Sequence, residues 1–269
     1  MNTKIGSRKH LHFSNIATHL IRFASVTMLL ASSLFVNETI AHADSSGCSA
    51  RSQYVDLSGC DLTGMDFSAL DLTGVDFSNA NLAGANFSKA KLNSADFSGA
   101  DLSGVNAATA DLSDAILIGS DLSKAQLVGA KLVNAIVIGS DLRRANFKSA
   151  DLSGADLTDT NAVAAIFTRA NFNQASMQGA NAMSAVFAGL DLSSAQSLPK
   201  NFAGANLTGA NFRGMNLSDI NFRYAKISGT DFSNAVANRA DFRNVKGQQS
   251  VFKGTELISA KLQYACLLY

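Results

Sequence analysis

"DFSNANLAGANFSKAKLNSADFSGADLSG", Asp76 to Gly104, places Phe or Leu at every fifth residue: Phe77, Leu82, Phe87, Leu92, Phe97 and Leu102. An α-helix cannot use that spacing, because five steps of about 100° turn successive members by roughly 140° and scatter them around the cylinder. A flat strand cannot use it either, since an odd period sends successive members to opposite faces of the pleat. The spacing requires a backbone that bends once per repeat.

The same register runs outward in both directions. Calling the large apolar position the centre, it falls on every number ending in 2 or 7 from Leu57 to Leu267, which is 43 positions. Leu fills 20 of them and Phe 14, and the remaining three of the 17 Phe (Phe13, Phe23, Phe35) precede the repeats. Periodicity of this strength decides the architecture before any motif does. Two residues before the centre, Ala recurs (Ala80, Ala85, Ala90, Ala95, Ala100). One residue before it stands Asp or Asn (Asp96, Asp101, Asn171, Asn211), and after it come Ser, Thr or Gly. The centre and the small residue are expected to point inward, and the Asx, Ser and Gly residues to turn the chain near water, because their side chains bond local backbone groups.

The unit in "ANLAGANFSKAKLNSADFSGADLSG" resembles the pentapeptide-repeat family, whose repeat is written A-(D/N)-L-x-x. The resemblance covers residues 55 to about 267. It implies an all-β fold, a right-handed quadrilateral parallel β-helix with four repeats per coil. The expected organisation is a signal peptide at 1–43, an N-terminal cap segment at 44–54 and the β-helix at 55–269. Three repeats depart from the pattern. Ala107 is a small centre. In "QSLPKNF" the centre would be Ser197 and the inward small residue Lys200, which predicts a bulged loop around Pro199 with Leu198 turning in. In "KGQQS" the centre is Gly247.

The N-terminal stretch has the marks of an export leader. Lys4, Arg8, Lys9 and Arg22 precede the apolar run Phe23–Val36, and Ala41-His42-Ala43 forms a small-x-small cleavage site, predicting a mature start at Asp44. A run of 14 apolar residues is too short for a span of about 20, so no stable membrane span is expected after cleavage. The expected location is therefore exported: secreted, periplasmic or thylakoid lumen. Cleavage removes all four His and leaves 18 Lys/Arg against 20 Asp/Glu, net −2. Three cysteines remain. In an exported chain a Cys48–Cys60 bridge is the favoured reading, with unpaired small core residues as the alternative.

This composition excludes much chemistry. Without His the mature chain lacks the commonest general base and metal ligand. The carboxylates sit where turn chemistry already explains them, and the glycines follow the repeat rather than a phosphate loop. No catalytic residue, cofactor or metal is expected, and the chain reads as a non-enzymatic structural or interaction module with an unidentified protein partner. The family resemblance also implies an alternative, protection of DNA gyrase by mimicry of duplex DNA. That activity needs a cytoplasmic, strongly acidic rod, which the leader and the near-neutral charge oppose; no nucleic-acid partner is expected.

With four repeats per coil, residues 20 apart stack. One face reads Asp71, Lys91, Asp111, Lys131, Asp151, an alternating ladder, and another reads Asp101, Asp121, Asp141. "AILIGSDL" (115–122) and "AIVIGSDL" (135–142) place Ile116 on Ile136 and Ile118 on Ile138, all at outward positions, with Ile166 over Val186 on the opposite face. Two readings stay open for the four Ile: β-branched residues suited to an extended stack, or a small apolar contact patch. The end, "KLQYACLLY", is still in register and offers no helical cap, which leaves two readings open: an end-to-end homodimer with Cys266 on the outside of the last coil, or a monomer whose last few residues fold back over the core.

Overall fold

The computed structural model describes residues 56–267. The expected leader, the cap segment with Cys48, and Leu268 and Tyr269 lie outside the described residues. Each regular repeat is built from one tight turn. The carbonyl of the centre accepts a hydrogen bond from the N–H three residues on, as in Ala85 N to Leu82 O at 2.9 Å. In the regular repeats the second residue after the centre has positive φ, for example Gly84 at 66° and Asn79 at 57°, and Ser194 and Pro199 around the irregular repeat do not. A 1→4 bond with positive φ at the third turn residue is the signature of a type II turn, which explains the Gly and Asn found there.

Residues 81–85 show why five residues suffice. Asn81 N bonds Cys60 O in the coil before (2.8 Å). Leu82 N and Gly84 N bond Asp101 O and Ser103 O in the coil after (both 2.8 Å). Ala85 N closes the turn, and Ala83 N bonds the Asn81 side-chain Oδ1 at 3.2 Å. All five backbone donors are satisfied, the last by the Asx side chain that precedes the centre. The Asx residue is therefore part of the backbone's hydrogen-bond accounting and not a decoration of the surface.

Parallel bridges join residues 20 apart, such as Asp61 to Asn81 to Asp101, so four repeats make one coil. The result is a four-sided parallel β-solenoid, and its sides are named by their first described residue: the Asp56, Asp61, Asp66 and Asp71 sides. On the Asp61 side the bridges run unbroken from Asp61 to Lys261. Those ten steps, at about 4.8 Å each, give a rod about 50 Å long. The centres and small residues fill its interior as expected; Phe77, Leu82, Ala85 and Ala95 are fully buried. Phe rings 20 apart stack (Phe77 on Phe97, 5.0 Å, 4°), and rings ten apart meet edge to face across the core (Phe77 and Phe87, 5.7 Å, 81°).

Two of the three irregular repeats keep the regular backbone. Ala107 is buried between Phe87 and Leu127 and leaves a gap of about 10 Å³ beside them. At Gly247 the Ile227 side chain leans into the vacated space: a Cβ built there would stand 2.5 Å from Ile227 Cγ1. The third repeat corrects the count of centres. Ser197 is not a centre but occupies the outer position, bridged to Ser176 across 21 residues, with the two hydroxyls 2.9 Å apart. Leu198 turns in and takes the centre's place with Pro199 buried beside it, while Lys200 points out and donates to Ser218 O at 3.2 Å. The slip is lost again by Asn201, because only three steps separate it from Leu198 where a regular repeat takes four.

Candidate interaction surface

The outer surface consists of one residue before each centre and the two turn residues after it. Most of its carboxylates already have work. Asp56, Asp76, Asp96 and Asp101 each accept the N–H two residues on, at 2.8–3.0 Å. The Ser68 backbone N–H holds Asp66 below the usual carboxylate range. Asp71 is held low first by the Thr73 hydroxyl and then by Lys91. The alternating ladder forms as read: Lys91 reaches Asp71 at 3.1 Å and Lys131 reaches Asp111 at 3.6 Å, all on exposed or half-exposed side chains. Such pairs contribute little each.

The like-charge row Asp101–Asp121–Asp141 is also present as bridged neighbours. Arg143 clasps Asp141, with Nε 2.7 Å from Oδ2, and its own proton is held more tightly by Asp141 and then by Asp121. Sequence reasoning missed a second such row, Asp56–Asp76–Asp96, on the adjoining side. It also missed the amide ladder in which Asn221 Nδ2 donates to Asn201 Oδ1 and Asn201 Nδ2 to Asn181 Oδ1, both at 3.1 Å. Reading every twentieth residue on the Asp56 side would have found the first, and following the Asp101 column on to residue 221 would have found the second.

The four Ile come together on the Asp56 side. Ile116 bridges Ile136, and Ile118 and Ile138 stand at the neighbouring turns, with Ile118 44% exposed and the other three half-buried. They interrupt a column of Asp, with Asp96 bridged on one side and Asp156 on the other. These two coils invert the usual polarity. Behind the outward Ile, the inward small residues are Ser120 and Ser140, both buried, whose hydroxyls donate to the Leu117 carbonyl. Ile166 bridges Val186 on the opposite side, as the 20-residue stacking requires.

Cys60 is fully buried at an inward small position, and Cys48 lies outside the described residues. Cys266 is exposed on the last described coil. That coil shows more apolar surface than any before it: Ile258 is 68%, Leu262 39% and Tyr264 86% exposed. Among the described residues no group of three or more His, Cys, Asp or Glu is arranged to hold a metal ion, and no helix is long and apolar enough to cross a membrane.

A family profile for pentapeptide repeats matches in eight copies over residues 53–88, 71–106, 95–132, 125–161, 165–196 and 201–236. The gap between 196 and 201 coincides with the slipped repeat. No curated protein matches. Among solved structures, HetL, a pentapeptide repeat protein involved in heterocyst differentiation regulation in the cyanobacterium Nostoc sp., is 29% identical over 76% of this chain and 93% of its own, with a TM-score of 0.41. A pentapeptide repeat protein of the Arabidopsis thaliana thylakoid lumen is 38% identical over 39% of this chain and 69% of its own (TM-score 0.25). QnrB1, a plasmid-mediated fluoroquinolone resistance protein, is 19% identical over 74% of this chain and 91% of its own (TM-score 0.32). The matched repeats cover well over half of the sequence, and the chain belongs to the pentapeptide-repeat family.

Proposed function

We propose that this chain is an exported, non-enzymatic protein-interaction or structural module: a right-handed rod that works through its outer sides. One observation carries the reading. The polar side chains that would otherwise be candidates for chemistry are bonded into the turns of their own repeat, as Asp71 is by Thr73 and Asp241 by Arg243. What varies from coil to coil is the outward residue, and with it the pattern of charge and apolar surface offered to a partner. The inverted coils around Ile116, Ile118, Ile136 and Ile138 are the apolar element of that pattern, and they serve as a contact patch.

The leader at 1–43 supports export, and a Cys48–Cys60 bridge then ties the cap segment to the first coils. The exposed Ile258, Leu262 and Tyr264 of the last described coil are the surface that an end-to-end pairing of two copies would use. Gyrase protection remains the alternative reading and requires an unprocessed cytoplasmic protein. The test is affinity capture from the native compartment, with the unchanged chain and with the Ile118→Ser/Ile138→Ser double variant. The reading expects a protein retained by the former and lost with the latter. Equal retention by both would remove the patch, and a catalytic turnover that copurifies with the chain would remove the non-enzymatic reading.

A further inference from the structure

The net charge of −2 over residues 56–267 hides a segregation along the rod. Residues 56–121 carry ten Asp and two Lys, and residues 196–267 carry nine Lys or Arg against four acids. The segregation is sharpest on the Asp61 side. Its outward residues begin with Asp61, Asp101 and Asp121, pass through a mixed stretch of Lys124, Asp141, Arg143 and Arg144, and end with Arg223, Arg243 and Lys261, where Asp241 is the single acid and is paired with Arg243. Between them, the coils from Asn161 to Gly204 are uncharged on this side, with Val163 half-buried and Met183 41% exposed. The two buried polar atoms without a hydrogen-bond partner among the described residues, Asn161 Oδ1 and Arg223 Nε, also belong to this side.

We propose that two copies of this chain pair face to face and antiparallel through the Asp61 side, about a two-fold axis level with Asn161. The bridge ladder fixes the register. A rotation about that level sets residue 61 opposite 261, 101 opposite 221 and 141 opposite 181. Asp61 of one copy then meets Lys261 of the other, Asp101 meets the coil of Asn221 and Arg223, and Arg143 and Arg144 meet the neutral coil of Met183. Every contact occurs twice, as a two-fold interface requires. The other sides do not offer this. On the Asp71 side opposite charges alternate and pair within the copy. The Asp66 side has one acid against five cations. On the Asp56 side acids stand at both ends, Asp56, Asp76 and Asp96 at one and Asp219 and Glu256 beside Arg239 at the other.

The face is about 50 Å long and, at three extended residues of about 3.3 Å, about 10 Å wide. Two copies bury about 1,000 Å², the lower bound for a specific interface. The pairing is therefore weak, and it is electrostatic enough to be screened by salt. It goes beyond the proposed function by placing a second copy along the Asp61 side, in a shape and with a salt response that end-to-end pairing would not show.

The test is sedimentation velocity with small-angle scattering on the purified protein at about 20 mM and about 500 mM salt. The expected result is a dimer about as long as the monomer at low salt and a monomer at high salt. Asp61→Lys and Lys261→Asp should each weaken dimerisation at least tenfold, and the double reversal should restore it to within about threefold. Both positions are exposed and of the kind where Lys91 and Asp71 already alternate, and circular dichroism checks that the rod is intact. A monomer at low salt and about 100 µM would overturn the proposal. So would a dimer about 100 Å long, or one indifferent to salt and to both reversals. The unaltered chain's salt series and scattering length decide the matter even if a variant fails to fold.

Discussion

Phe222→Ala removes a ring at the centre of the aromatic column. Phe222 is fully buried. It stacks between Phe202 (5.5 Å, 1°) and Phe242 (4.8 Å, 8°) and meets Phe212 and Phe232 edge-on at 6.1 and 6.0 Å. Burial alone sets a cost of about 3–5 kcal/mol for such a truncation. Four ring neighbours lose their partner at once, and ring pairs are each worth about 0.5–1.5 kcal/mol beyond area, so the cost should lie at or above the upper end of that range. Collapse cannot relieve it, because the four rings are themselves held at the coil spacing by the backbone ladder. Asn221→Ala, one residue away and outward, loses the bond from Arg223 N and the amide bond to Asn201, both 3.1 Å and half-exposed. That should cost about 1–2 kcal/mol. Phe252→Ala is a second control, since Phe252 is only half-buried and stacks on Phe232 from one side. Urea unfolding of the three variants measures the order, and a reduced slope for Phe222→Ala would show coils uncoupling, as in other one-dimensional folds. Equal costs for Phe222→Ala and Asn221→Ala would refute the assignment of inside and outside.

Other outcomes follow from the same geometry. Thr109 holds φ at 57°, where a β-branched residue is strained, so Thr109→Asn should stabilise the rod by about 1 kcal/mol in thermal or urea unfolding; destabilisation would contradict the turn assignment. Gly247→Ala must push Ile227 aside, as its Cβ would stand 2.5 Å from Cγ1, and should lower the midpoint, whereas a neutral result would mean that Ile227 turns away freely. Mass spectrometry without reduction should find one peptide linking Cys48 and Cys60, and free thiols at both would remove that bridge. Asp66, Asp71 and Asp241 have depressed carboxyl values, held by Ser68, by Thr73 and Lys91, and by Arg243. Their stabilisation is complete above the unfolded-state value of about 3.9 and is lost as pH falls through the folded-state values. The melting temperature should hold between about pH 7 and 5 and drop below about 4; a drop already complete by pH 5 would contradict it.

The architecture was legible because one physical requirement repeats. A turn with positive φ every fifth residue fixes the period, and the large and small inward residues advertise it at almost every position. Ser197 shows the limit of that legibility. The five-residue count survives across the slip, so a register read from numbers alone passes straight through it, and only Pro199 and Lys200 in forbidden places betray the bulge. The interaction surface was less legible for a different reason. Turn chemistry and surface chemistry use the same residues, Asp, Asn and Ser, so an outward carboxylate is ambiguous until its hydrogen bonds are seen. Ile116 and Ile118 stood out because nothing in a turn calls for them. The segregation of charge from Asp61 to Lys261 was hidden by a net charge that averages the two ends.

The most direct test of the proposed function is where the protein resides and where its chain begins. Fractionation of the source cells followed by N-terminal sequencing should place it in an exported compartment with Asp44 as its first residue. A soluble cytoplasmic protein that retains Met1 would contradict the account and return gyrase protection to the front.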